Sequence, residues 1–180
     1  MTLYKKTYRI ESARKLHWDY SWPGWYFVTI CTQDMKIRFG KVLDGSVNLS
    51  SIGAYAAACW REIPVHHPGV TIDEFIIMPN HIHGIIVISG PERLPVLRRR
   101  GEIKRTMALP AVHPKSGSLG AIVGSFKAAV TFWCRTQNRE FDWQPRFHDR
   151  IIRGKNSLKN IREYIRDNPA NWHKDDLYVA

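Results

Sequence analysis

Two histidines stand one residue apart in the most apolar run of the chain, Phe75-Ile76-Ile77-Met78-Pro79-Asn80-His81-Ile82-His83-Gly84-Ile85-Ile86-Val87-Ile88. The flanks are rich in β-branched residues, so the run reads as two short strands meeting at Pro79-Asn80. Pro79 has no amide hydrogen to give to a ladder and marks a turn or a sheet edge. Side chains alternate across a strand, which sends His81 and His83 to one face and Ile82 to the other. Two imidazoles about 6–7 Å apart along a strand are able to share one metal ion. Core histidines bonded to backbone are the competing reading. Such a pair, facing one way inside a core, would have up to four ring nitrogens to satisfy.

A second candidate group lies late in the chain. Ser157 to Asn168 reads as a helix stopped by Pro169. Leu158, Ile161 and Ile165 form its apolar stripe. At about 100° per residue, Tyr164 and Asn168 fall within roughly 40° of each other on one flank of that stripe. Lys159, Arg162, Glu163 and Arg166 lie away from them. Spacing alone makes Tyr164 a boundary aromatic with Asn168 beside it, which fits a purely structural role as well as a chemical one.

These groups need a scaffold, and the rest of the chain supplies one. Pro23-Gly24 is a turn signal, after which Trp25 to Thr32 reads as a largely buried strand. Phe39–Leu43 and Ser46–Leu49 flank Asp44-Gly45, a strong hairpin signal. Ser50 or Ser51 caps a helix to about Ile63, favoured by Ala54, Ala56, Ala57 and Ala58 and bounded by Pro64 and Pro68. Leu119 to about Asn138 is the longest helical pattern, with Ile122, Phe126, Val130 and Trp133 as its core face. Arg146 to Arg153 reads as one more strand. Strands, a hairpin and helices without regular βαβ alternation predict an α+β fold with an antiparallel sheet.

At 180 residues and 44% hydrophobic content, one globular domain over 1–180 is expected. The net charge of +11 points to a polyanionic partner, nucleic acid before membrane. Residues 1–22 interleave Arg9, Arg14 and Lys15 with Tyr8, Trp18, Tyr20 and Trp22, a mixture suited to single-stranded nucleic acid or to an arm packed on the domain. Residues 89–118 carry four prolines and the run Arg98-Arg99-Arg100, and read as a basic excursion rather than a second domain. Cys31, Cys59 and Cys134 are scattered, with no C-x-x-C pair, which predicts reduced thiols, a cytoplasmic location and no structural zinc. Neither a signal core nor an apolar run of membrane-spanning length is present, so a soluble protein is expected.

The block Met78-Pro79-Asn80-His81-Ile82-His83-Gly84, with Tyr164-Ile165-Arg166-Asp167-Asn168-Pro169 and the following Trp172 in a basic chain, resembles the single-tyrosine HUH transposases. The resemblance is strongest to their REP-associated tyrosine transposase branch and runs from about Trp25 to Trp172. It implies a ferredoxin-like fold: an antiparallel sheet carrying the histidines, helices behind it, and the tyrosine on a C-terminal helix facing the sheet. It implies that His81 and His83 bind a divalent metal, Mg²⁺ or Mn²⁺, that Asn168 is the third ligand where many insertion-sequence relatives have Gln, and that Tyr164 is the nucleophile. The implied substrate is single-stranded DNA with hairpin ends. Arg98, Arg99, Arg100, His148, Arg150 and Arg153 are the candidate DNA contacts, although the excursion at 89–118 that carries the first three is not part of the family's common core. A homodimer and a monomer both fit.

The chemistry follows from the residue types. A divalent metal on two imidazoles and one amide oxygen keeps positions open for phosphate oxygens and, with neutral ligands, turns its full charge on the substrate. Imidazole and amide suit Mn²⁺ better than Mg²⁺. A tyrosine with pKa near 10 is a poor nucleophile until deprotonated or set close to the metal. Its attack would give a 5′-phosphotyrosine and a free 3′-hydroxyl, and a DNA hydroxyl could reverse the step without ATP. Two other functions remain open: a nucleic-acid-binding module without catalysis, and a metal-dependent hydrolase using water, with Asp73, Glu74 or His148-Asp149 as base.

Overall fold

The apolar stretch after Pro23-Gly24 forms β3 (Gly24–Cys31), the strand on which the main sheet is built. A computed structural model describes residues 18–89 and 117–179, together with the backbone of two short paired strands, β1 (Leu3–Tyr4) and β2 (Tyr8–Arg9). Arg98, Arg99 and Arg100, and most of the expected N-terminal arm, lie outside the described residues.

After β3 the chain makes the hairpin β4 (Gly40–Leu43) and β5 (Ser46–Leu49). Asp44 (φ 49°) and Gly45 (φ 70°) both take positive φ, as a two-residue primed turn demands. Ser50 then caps α1 (Ser51–Arg61), its hydroxyl accepting from Gly53 N at 3.1 Å. Pro64 does not simply close this helix. It sits in the first turn of a second, short helix, α2 (Ile63–His66), where its missing amide hydrogen does no harm. The histidine run becomes β6 (Val70–Ile77) and β7 (His81–Ile88), joined at Pro79-Asn80 as the sequence predicts. α3 (Leu119–Thr136), β8 (His148–Ile152) and α4 (Lys155–Asp167) complete the order.

The four long strands pair antiparallel in the order β6-β7-β3-β8. With α1 between β3 and β6, and α3 between β7 and β8, this is the βαββαβ ferredoxin-like arrangement. The two faces carry different cores. Tyr26, Val28, Ile30, Ile82 and Ile86 meet Trp60 of α1 and Ile122 and Phe126 of α3. Trp25, Phe27, Ile85 and Val87 meet Leu158, Ile161 and Ile165 of α4 on the other side. β3 and β7 are covered on both faces, which explains why they read as nearly continuous apolar runs.

Gly84 shows how tightly the first face is closed. A Cβ at this position would press into Cζ2 of the fully buried Trp60 and stand 2.9 Å from its Cε2. Trp60 is held in turn between Phe75 and Phe126. The glycine after His83 therefore lets a large ring seat directly behind the histidine strand. Cys31, Cys59 and Cys134 are all free thiols. No helix among the described residues is long and apolar enough to cross a membrane.

Candidate active site

Strand alternation puts His81 and His83 on the α4 face, with ring centres 4.4 Å apart, and both are buried. The neighbours fix which nitrogen of each ring faces inward. Asn80 donates through Nδ2 to Leu177 O at 2.9 Å, so its Oδ1 is an acceptor, and that oxygen lies 2.8 Å from His81 Nδ1. His81 Nδ1 must then carry the proton. Burial, with a further push from His83, brings the His81 pKa down to about 3, so the ring is neutral and Nε2 keeps its lone pair. On the adjacent strand, Thr29 Oγ1 lies 2.9 Å from His83 Nδ1 and turns Nε2 of His83 the same way. Asn80 and Thr29 thus do for these rings what supporting groups do around metal-binding histidines.

α4 delivers the other half. Its Arg162 grips Asp73 through two bonds of 2.7 Å, and Arg166 binds Glu74 at 3.0 Å. Asp73 and Glu74 occupy the irregular step of β6 between Ile72 and Phe75. These carboxylates serve to dock the helix, and their pairing removes them as a base at the histidines. With Ile161 and Ile165 buried beneath the helix, Tyr164 comes to rest with its hydroxyl 3.1 Å from His83 Nε2. Its ring stands edge-on to Phe27, which stacks on His83. Tyr164 remains 46% exposed, so the hydroxyl is seated while one side of the ring stays open.

Beyond Pro169 the chain turns through a short 3₁₀ segment, Trp172–Lys174, and returns to the sheet. Trp172 packs on His81 with ring centres 5.8 Å apart. Asp175, the residue that follows this segment, comes up against the histidines and Tyr164, with a side chain only 2% exposed. Its Oδ2 accepts from Asn168 Nδ2 at 2.6 Å and from the Tyr164 hydroxyl at 3.4 Å. It lies 4.0 Å from His81 Nε2 and 3.9 Å from His83 Nε2. Burial alone would raise the Asp175 pKa, but the nearby imidazoles and the hydrogen bonds from Asn168 Nδ2 and Leu177 N outweigh it and hold the carboxyl well below its usual range. Burial and the Asp175 charge together push Tyr164 up to about 12.

The donor set fits a divalent ion. His81, His83 and Asp175 present ligand atoms within 4.8 Å of one another. His81 Nε2 and Asn168 Oδ1 are buried with no hydrogen-bond partner among the described residues, an arrangement that a folded chain otherwise avoids. Asp175 is the residue the sequence did not disclose. It adds a negative, hard oxygen to a set expected to be neutral, which suits Mn²⁺ or Mg²⁺ better than imidazole and amide alone.

The remaining expected DNA contacts divide. His148 and Arg150 pair with Thr29 and Phe27, and so lie on the histidine face of the sheet. Arg153, just past the end of β8, is separate from them and stands over the ring of Trp18.

No protein-family model matches the sequence. An uncharacterized protein of Haemophilus influenzae is 40% identical over 174 residues, covering 94% of this chain and 93% of its own. The chain belongs to the family of that protein. Among solved structures, a REP-associated tyrosine transposase bound to a REP hairpin superposes with a TM-score of 0.57 at 16% identity, over 91% of this chain and 74% of the other. At that identity this chain shares the fold of that transposase, and the likeness reaches no further than the fold.

Proposed function

We propose that the protein is a metal-assisted DNA transposase that cleaves and rejoins single-stranded DNA bearing hairpin ends, with Tyr164 as nucleophile and His81, His83 and Asn168 as metal ligands. The observation that carries this reading is the convergence of β7, which bears His81 and His83, with α4 and its C-cap, which bear Tyr164 and Asn168. The Tyr164 hydroxyl lies 3.1 Å from His83 Nε2, Asp175 Oδ2 stands within 4.0 Å of both Nε2 atoms and accepts from Asn168 Nδ2, and Asn168 Oδ1 is buried with no partner among the described residues. The motif resemblance, the basic charge and a fold shared with a hairpin-bound transposase agree with it.

A divalent ion in this corner would orient the scissile phosphate and draw off the charge that develops on it. The chain's own residues do the rest. Asn80 and Thr29 hold the imidazoles in register. Burial and then the Asp175 charge favour the protonated Tyr164 phenol in the resting protein, so its proton must leave as it attacks. As the phenol gives up its proton, its oxygen bonds to phosphorus and the bond from phosphorus to the 3′ oxygen breaks. The products are a 5′-phosphotyrosine and a 3′-hydroxyl, and attack by a DNA hydroxyl on phosphorus reverses the step.

Cleavage of a hairpin-bearing single strand with and without Mn²⁺ tests the reading. His81→Ala and His83→Ala should abolish cleavage, as should EDTA, while salt-sensitive binding persists. Cleavage at the wild-type rate in both variants and in EDTA would remove the metal site from the account.

A further inference from the structure

The face that carries the histidines is covered unevenly. Across it, cross-strand partners form three rows: His83–Thr29–His148, then Ile85–Phe27–Arg150, then Val87–Trp25–Ile152. α4 leans toward the β6 edge, tied there by Arg162 to Asp73 and Arg166 to Glu74. At the β8 edge the ends of the first two rows stay open, and His148 and Arg150 are exposed. Neither is paired with a carboxylate among the described residues. Strands are spaced about 4.8 Å apart, so His148 lies two spacings, about 10 Å, from His83, and Arg150 about 7 Å further along the same edge. Between them and Tyr164 the floor is the half-buried ring of Phe27, against which Tyr164 stands.

We propose that this open trough along β8 is the track for the single-stranded DNA next to the scissile phosphate, with Arg150 and His148 holding flanking phosphates and Phe27 and Tyr164 offering their rings to an unpaired base. The proposal rests on the function proposed above and assigns the part of the site that grips substrate outside the reacting bond. Charge and ring chemistry select the occupant. A guanidinium grips a phosphate through two parallel bonds, and aromatic faces stack on bases whatever their sequence. In a duplex those base faces are already covered by their neighbours, so the rings favour a single strand. Arg153, just past the end of β8, is separate from this pair and stands over the ring of Trp18.

The test measures binding apart from cleavage, in a Tyr164→Phe background without added metal. Fluorescence anisotropy over a salt series would compare a hairpin carrying a single-stranded flank with the same stem lacking it. Both side chains are exposed, so Arg150→Ala and Arg150→Ala with His148→Ala should melt as the parent does. For the flanked hairpin, Arg150→Ala should bind about tenfold or more weakly. Its salt slope should flatten by about 0.7 for each lost phosphate contact. Arg150→Lys should restore the slope but only part of the affinity, since lysine lacks the fork. The bare stem should bind all variants alike. Unchanged affinity and slope for the flanked hairpin, or an equal loss for the bare stem or a flank made duplex, would overturn the track while leaving the catalytic reading intact. A chain that binds no such DNA and cleaves none overturns both.

Discussion

Asn80→Ala probes the link between the turn and the chemistry most sharply. Asn80 is fully buried, and its amide bridges two otherwise distant parts of the protein, His81 Nδ1 at 2.8 Å and Leu177 O at 2.9 Å. Its main-chain oxygen accepts from Thr32 N and Thr32 Oγ1, and alanine keeps both bonds. The substitution therefore spares the turn and strands the His81 N–H without an acceptor inside the core. An unsatisfied buried donor costs about 1–3 kcal/mol. At about 2–4 °C per kcal/mol for a chain of this size, the melting temperature should fall by about 2–12 °C. The ring proton is also freed to move to Nε2, which removes the lone pair that faces the site. Loss of such a supporting bond typically weakens metal binding about 10–100-fold. Titration with Mn²⁺, followed by the EPR signal of the free ion, reads that loss directly. Asn80→Asp retains an acceptor for Nδ1 while losing the Leu177 bond, and should hold Mn²⁺ far better than Asn80→Ala. If Asn80→Ala binds Mn²⁺ as the wild type does, the tautomer argument fails and with it the assignment of His81 Nε2 as a ligand.

Gly84→Ala should destabilise the fold by about 1–3 kcal/mol, because the added methyl presses on Trp60, which has nowhere to go; a melting curve that matches wild type would show that Trp60 is free to yield. Tyr164 sits near 12 because burial and then the Asp175 charge favour the protonated phenol, so Asp175→Asn should lower its titration toward the ordinary value near 10. Alkaline difference absorbance of the metal-free variant, with Tyr164→Phe as the blank, checks this, and an unmoved titration contradicts it. The sign for stability is set by the same shift: a phenol with a raised folded pKa stabilises the fold below pH 10 and loses that contribution as pH climbs toward 12, so the wild type should lose more stability over that range than Tyr164→Phe. Affinity for hairpin-bearing single strands should drop steeply from low to physiological salt, and a flat response would separate the +11 charge from DNA binding.

Much of this site was legible because its signals are local. A period of two put His81 and His83 on one face, a period of 3.6 put Tyr164 beside Asn168, and Asp44-Gly45 announced its own turn. Parity within β8 was equally available: His148 and Arg150 differ by two, so the strand pattern alone sets them on one face. Asp175 was not legible. It follows Pro169 in a stretch without periodicity, and it reaches the site only because Asn168, Tyr164 and Leu177 N hydrogen-bond to it from separate segments. Thr29 was hidden for a related reason, since its meeting with His83 depends on the β3–β7 register, which no single strand encodes. Asn80 stood in the motif, but its role needed Leu177, 97 residues away, to orient the amide.

The central claim is that Tyr164 attacks DNA, and a covalent adduct tests it most directly. The wild-type protein, incubated with Mn²⁺ and a hairpin-bearing single strand, should give a denaturant-resistant band of higher mass on a denaturing gel. After nuclease and protease digestion, mass spectrometry should locate the residual nucleotide on Tyr164, and Tyr164→Phe should form neither adduct nor cleaved strand while melting close to wild type, since the ring still packs against Phe27. Cleavage by Tyr164→Phe, or an adduct mapped to Tyr178 or Tyr55, would contradict the account.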